Sequence, residues 1–184
     1  MNTLRIITRD SSGLISLDEA KKWLRVEGNS EDLLITELLK GSVAYAENYL
    51  NRTIGVNTYK MSLDGFSREI SLFRPPVSEV TEISYVDSDG ADRTFDVTKT
   101  KLNKDMGILY LKQGESWPDT SSESFAVQIS YSSDGIYAEH DADDVVTAIK
   151  MVLAYQYDWR DDSNQRWQKA SDRILRAIRI IPFE

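Results

Sequence analysis

The apolar residues of this chain recur at a helical period near its start, at a period of two through its middle, and at the helical period again near its end. That double switch restricts the fold more than any other feature. Leu17, Ala20, Trp23 and Leu24 share one face of a first helix, whose start is marked by Ser16 with Glu19 three positions on. At that spacing each side chain satisfies the other's orphan backbone N–H. Gly28-Asn29 breaks the pattern, and Ser30 with Glu31 and Asp32 opens a second helix, its acids beside the positive end of the helix dipole. Leu34, Leu38, Tyr45 and Tyr49, with Ile35, Leu39, Ala46 and Leu50, give this helix a broad apolar stripe ending near Leu50. The spacing predicts two antiparallel helices joined by a short turn, preceded by a short strand over Thr3 to Thr8.

From Val56 the repeat is two: Tyr59, Met61 and Leu63 alternate with Thr58, Lys60 and Ser62 up to the Asp64-Gly65 turn. Ile70 and Leu72, Val80 to Val86, Arg93 to Val97, Ile108 to Leu111 and Phe125 to Tyr131 continue it, with Pro75-Pro76 and Asp87-Ser88-Asp89-Gly90 as interruptions. Six or so short strands are expected. After Asp134-Gly135 the helical repeat resumes through Val145, Ile149, Val152, Leu153 and Gln156, with Asp141 or Asp143 as cap and Tyr155 and Trp159 extending the face. Asp161 to Asn164 reads as a linker, and Trp167, Ala170, Ile174 and Ile178 mark a fourth helix ending near Ile180, before Pro182. The fold class predicted is α+β: a four-helix core of two N-terminal and two C-terminal helices with an inserted antiparallel β module. The divisions fall at 1–54 for the opening strand and helical hairpin, 55–136 for the β insertion and 137–184 for the C-terminal helices and tail.

With 184 residues the chain is long enough to bury roughly 70% of its extended surface. It contains no cysteine, which excludes disulfides, thiolate metal sites and thiol nucleophiles and fits assembly in a reducing cytoplasm. Met1 to Ser12 lacks the pattern of a secretory signal, and no apolar run is long enough to span a bilayer, so neither export by that route nor membrane insertion is expected. The net charge of −8 is unevenly placed. Residues 1–159 hold 16 basic against 26 acidic residues, a balance of −10, whereas residues 160–184 hold six against four, a balance of +2. An acidic body repels phosphate, which disfavours tight nonspecific DNA binding, and the basic tail suits an acidic protein partner.

Few residues invite chemistry. His140 lies beside Asp141, Asp143 and Asp144, a set that permits a metal or acid-base reading. A capped, solvated helix start accounts for the same residues. Asp87-Ser88-Asp89-Gly90 resembles a fragment of a calcium loop, but it lacks the remaining ligands and reads as a hairpin turn. No phosphate-cradling glycine pattern and no G-x-S-x-G elbow occur, and with 30 acids a carboxylate pair at glycosidase distance carries no weight without a cleft. No catalytic residue, cofactor or metal is assigned. Trp23, Trp159 and Trp167 fall on apolar helical faces and are expected in the core or a subunit contact. Arg173, Arg176 and Arg179 follow one another at spacing three along the last helix, and Ile180, Ile181 and Phe183 give the same terminus an apolar end. A solvated face and a contact surface both fit that edge.

Three blocks in this order carry a resemblance to a known family. They are ISLDEAKKWLRVEGNSEDLLITELLKGSVAYAENYLNRT, then LDGFSREISLFRPPVSEVTEISYVDSDG with its Arg-Pro-Pro step, then the late helix carrying Tyr155 through Arg160. Together they resemble the head-tail connector (adaptor, or head completion) proteins of tailed double-stranded-DNA bacteriophages. The resemblance covers most of the chain and implies a structural subunit rather than an enzyme. It implies a ring of copies, commonly twelve-fold, that sits below the portal protein in the virion neck, contacts a downstream neck or tail protein, and lets genomic DNA pass unbound. In relatives the C-terminal segment engages the portal, which by resemblance assigns that role to Arg173, Arg176, Arg179, Ile181 and Phe183. Another neck component, such as a stopper or tail-completion protein, is the nearest alternative, and a small carboxylate-dependent hydrolase is the alternative of a different class.

Overall fold

A computed structural model describes residues 2–10, 14–136, 142–158 and 166–180. The chain divides into two compact units, one of Met1–Arg9 with Val56–Gly135 and the other of Asp10–Gly55 with Ile136–Glu184. The architecture is α+β, with four helices around one core and antiparallel strands around another.

The helical unit contains α1 (Leu17–Leu24), α2 (Asp32–Leu50), α3 (Ala142–Asp158) and α4 (Arg166–Leu175). The capping box is formed as the sequence predicts: Glu19 N–H donates to Ser16 Oγ at 3.2 Å, and Ser16 N–H donates to Glu19 Oε2 at 2.9 Å. α1 ends where Arg25 turns left-handed, at φ 58°. Ser30 does not cap α2. The helix begins instead at Asp32, whose carboxylate pairs with Lys21 of α1 at 2.7 Å while the same ammonium reaches Asn29 Oδ1 at 3.0 Å, so one lysine closes the turn between the helices. Ile35, Val43, Ala46 and Leu50 of α2 meet Val145, Ala148, Ile149 and Leu153 of α3 and Leu175 of α4 in one buried cluster. Gly41 keeps the face of α2 low beside Gln156, whose side-chain oxygen accepts from the buried Ser42 hydroxyl at 3.2 Å. Of the two places expected for Trp23, the core is not the one it takes: it is 47% exposed, with the Lys150 ammonium 5.9 Å from its ring centroid. Ala20 is the fully buried residue of α1, and Leu17 and Leu24 pack against the core beside it. Trp159 lies outside the described residues.

The β unit contains β1 (Thr3–Asp10), β2 (Val56–Leu63), β3 (Glu69–Ser71), β4 (Glu79–Val86), β5 (Asp92–Phe95), β6 (Thr100–Asn103), β7 (Ile108–Leu111) and β8 (Val127–Ser133). They form a five-stranded sheet in the order β1-β2-β8-β4-β5 and a three-stranded sheet in the order β3-β7-β6. Met61, Ile129 and Ile83 stand opposite one another across β2, β8 and β4, and all three are buried. Ile70 and Leu109 of the second sheet belong to the same core. The alternation read from Tyr59, Met61 and Leu63 therefore places the buried face correctly. β1, grouped in the sequence with the helical hairpin, lies at the edge of the five-stranded sheet. β6 carries only one apolar residue, Leu102, and gives no periodic signal; Val97, expected to end a strand, starts a 3-10 turn.

Side chains fasten the Arg-Pro-Pro step to β8: Tyr131 OH donates to Phe73 O at 2.9 Å, and Ser133 Oγ donates to Pro76 O. Gly107 has φ +65°, and a Cβ there would meet Leu72 O at 2.9 Å, so the close approach of these two backbones requires glycine. Their proximity is used, since Leu72 N–H donates to Gly107 O at 2.7 Å.

Truncating Ile149, fully buried between the helices, should cost about 2–5 kcal/mol. Leu33→Ala, at a position 85% exposed, should stay within about 0.5 kcal/mol. Denaturant unfolding of the two variants beside the parent checks both, and equal losses would contradict this placement of the helical core.

Candidate functional site

The arginine edge begins on α4, whose inner side is fixed by buried Ser171 and Leu175 and by Ile174 packed against the core. The α-helix stops at Leu175 and tightens into a 3-10 turn over Arg176–Ile178. Three residues per turn bring positions i and i+3 into line. Arg173 on the last turn of α4, Arg176 at the start of the 3-10 turn and Arg179, the extended residue that caps it, are all exposed, near the end of the helix where cations oppose the negative pole of its dipole.

Three links tie this segment to α2. Tyr45 OH donates to Asp172 Oδ1 at 2.7 Å. The Arg179 guanidinium lies 5.0 Å from the centroid of the Tyr49 ring, an attractive cation–π arrangement. Ile180 N–H donates to Leu50 O at 3.0 Å, satisfying one of the carbonyls left without an intrahelical partner at the end of α2. Tyr45 and Tyr49 are four residues apart and so share a helix face. Burial, followed by the hydrogen bond to Asp172, pushes the Tyr45 phenol above its ordinary range. The sequence placed both tyrosines in the apolar stripe of α2, and it gave no sign that Asp172 and Arg179 would meet them. The i, i+4 spacing of two tyrosines was the available signal. Ile181 and Phe183, the apolar members of the predicted edge, lie outside the described residues, as do His140 and Asp141.

Other candidates resolve into structural roles. Asp143 and Asp144 are exposed in the first turn of α3, and among the described residues no group of three or more metal-ligating side chains occurs. Asp87 is used by its own hairpin: Oδ1 accepts from Asp89 N–H at 3.0 Å and Ala91 N–H at 2.9 Å, and Oδ2 accepts from Arg93 Nε at 2.8 Å. The bond to Arg93 holds this carboxyl below the usual carboxylate range. On the β unit an open cleft of about 470 Å³ is lined by Arg68, Glu69, Tyr110, Lys112, Glu115 and Trp117, among others. Its lining has no serine, cysteine or histidine, and Glu115 is paired with Lys99 at 2.9 Å.

A sequence model of the family described as "Head completion protein" matches residues 13–170. The chain belongs to the head completion protein family. Head completion proteins are structural connectors between head and tail rather than enzymes. The fold is similar to chains in three solved structures. One, in the neck of an empty gene transfer agent (GTA) particle computed with C6 symmetry, is 18% identical with a TM-score of 0.79, covering 99% of this chain and 97% of the other. A second, in the virion of a native GTA particle, is 19% identical with a TM-score of 0.79 and coverages of 98% and 97%. A third, in the neck of a native GTA particle computed with C12 symmetry, is 17% identical with a TM-score of 0.78 and coverages of 99% and 97%. No curated protein matches the chain.

The tie between Tyr45 and Asp172 has a pH signature. A phenol with a raised pKa holds its proton more firmly in the folded chain, so its contribution is complete below about pH 10 and is lost as pH rises from there toward the folded value. Tyr45→Phe should cost about 1 kcal/mol at pH 7 through the lost hydrogen bond. It should also flatten the fall in Tm above about pH 10, leaving a residual slope from Tyr131, whose phenol burial likewise raises. An unchanged alkaline slope would show that Tyr45 is not held by Asp172.

Proposed function

We propose that this chain is an adaptor subunit in the neck of a tailed-phage-type particle, where copies form a ring below the portal protein and dock on it through the C-terminal arginine edge. The observation that carries this reading is the row of Arg173, Arg176 and Arg179, exposed on a segment bound to α2 at three points, in a chain of net charge −8. A flexible basic tail would lose conformational entropy on binding, whereas a segment already held in place presents its charges with less of that loss. Residues Ile181 and Phe183 follow directly on this edge and supply the apolar part of the proposed contact.

The ring accords with the C6 and C12 symmetry in which the necks of GTA particles were computed. Proteins of such a ring recur around an axis, and we propose a twelve-fold arrangement here. Genomic DNA passes through without specific binding, because the acidic balance offers few cations to displace counterions from phosphate. A downstream neck or tail protein takes the opposite side of the ring. The assembly site is the host cytoplasm, and the final location the virion neck.

Charge reversal tests the docking edge. Arg176→Glu, at an exposed position, should leave stability within about 0.5 kcal/mol of the parent. It should nevertheless weaken cosedimentation with portal about tenfold, the effect of roughly 1.4 kcal/mol at the contact. Added salt should weaken the parent's docking in the same direction, by screening of exposed charges. A second prediction concerns the terminus: a chain lacking residues 181–184 keeps the Ile180 to Leu50 bond and should stay folded, yet no longer cosediment with portal. Unchanged cosedimentation of both variants removes the docking role.

A further inference from the structure

β1 is a long strand with one open side. It ends the five-stranded sheet, so one row of its backbone N–H and C=O groups has no neighbouring strand among the described residues. Seven of its eight residues are exposed, and Leu4 alone is half-buried. Successive residues of a strand point to opposite faces. Ile6 and Ile7 are 36% and 52% exposed, so apolar side chains are bare on both sides of this edge. Edges built to remain single are short, charged, interrupted by proline or twisted by bulges. β1 has eight residues and no proline, and although it carries Arg5, Arg9 and Asp10, two adjacent isoleucines occupy its middle.

The other end of the same sheet is β5, four residues long and carrying Asp92 and Arg93. Arg93 is engaged by Asp87 at 2.8 Å, while Asp89 and Asp92 are exposed outside that pair. The two edges thus differ in charge: Arg5 and Arg9 outnumber Asp10 among the exposed residues of β1, and carboxylates dominate the β4–β5 end. A ring of identical subunits closes when two unlike surfaces on opposite sides of each subunit fit one another. The two edges of one sheet are opposite by construction, and here they are unlike.

We propose that β1 of one copy adds to the β5 edge of the next copy, joining the five-stranded sheets of neighbouring subunits around the ring. Backbone hydrogen bonds between the edges supply affinity, as in other strand additions. Ile6 and Ile7 lose their exposure at the seam, and Arg5 meets Asp89 and Asp92 of the neighbour. This seam rests on the ring reading above, and it names the surface that builds the ring.

The chain has no cysteine, so introduced thiols are the only ones that link its copies, and a portal-only control identifies any contributed by portal. A double variant carrying Arg5→Cys and Asp92→Cys, assembled on portal and treated with a short bismaleimide, should give a covalent ladder of many subunits, with each single variant giving none. Rings seen by electron microscopy without a ladder overturn the seam and leave the ring reading standing. Parent protein that forms no ring on portal overturns both. A dimer from Arg5→Cys alone places β1 against β1 and also overturns the seam. Charge exchange gives a second measure: Arg5→Glu should lower ring yield at least tenfold, and adding Asp92→Arg to the same chain should restore it. A double variant no better than Arg5→Glu refutes the pairing. Both positions are exposed, so neither change reaches the core.

Discussion

The β unit depends on the pairing of its second strand with its last. β2 and β8 stand in register from Asn57 opposite Ser133 to Leu63 opposite Val127, which places the departure and the return of the excursion side by side. Within the helical unit the matching junction is the bond from Ile136 N–H to Thr53 O at 3.0 Å. An excursion of about eighty residues is tolerable in a helical core only if its two ends lie close, because the helices on either side must still meet. Here they do. α2 precedes the excursion, α3 follows it, and Ile35, Val43, Ala46 and Leu50 pack with Val145, Ile149 and Leu153 in a single cluster. Each unit then has its own core, and that of the β unit is the more aromatic, with the rings of Phe66 and Trp117 stacked at 4.4 Å.

Much of this was legible in the residues. The period of two from Tyr59 to Leu63 identified the buried face of β2, and the capping box at Ser16 fixed the start of α1. What escaped was decided by tertiary contact. Ser30 had the right chemistry for a cap, but the pairing of Lys21 with Asp32 set the start of α2. Trp23 had the right spacing for burial, but of that face Ala20, Leu17 and Leu24 meet the core while Trp23 stays about half exposed. β6 is recognised by its neighbour β7 and not by its own pattern. The arginine edge was visible as spacing three in sequence. Its attachment to Tyr45, Tyr49 and Leu50 was not, since those partners are more than a hundred residues away.

The electrostatic arrangement suits a structural connector. Charges at exposed positions interact weakly and are screened by salt, so they set orientation and encounter more than stability. The chain keeps its acids on the body and its basic surplus in residues 160–184. Its buried polar groups serve the fold: Glu47 accepts the Ile54 N–H at 3.1 Å, and Asn57 donates to Tyr59 OH at 2.9 Å inside the β unit. Membership of the head completion protein family accords with an interior built for packing.

The three ties between the terminal segment and α2 have a mechanical consequence. Asp172, Arg179 and Ile180 meet Tyr45, Tyr49 and Leu50 in the same order along both stretches of chain. Tension applied beyond Ile180 would reach the Leu50 carbonyl first, then the Tyr49 ring, then the Tyr45 hydroxyl. The outer two ties can give way under a modest pull and re-form on release, whereas the Tyr45 tie lies behind Leu175 and Ile178, which would first have to leave the core.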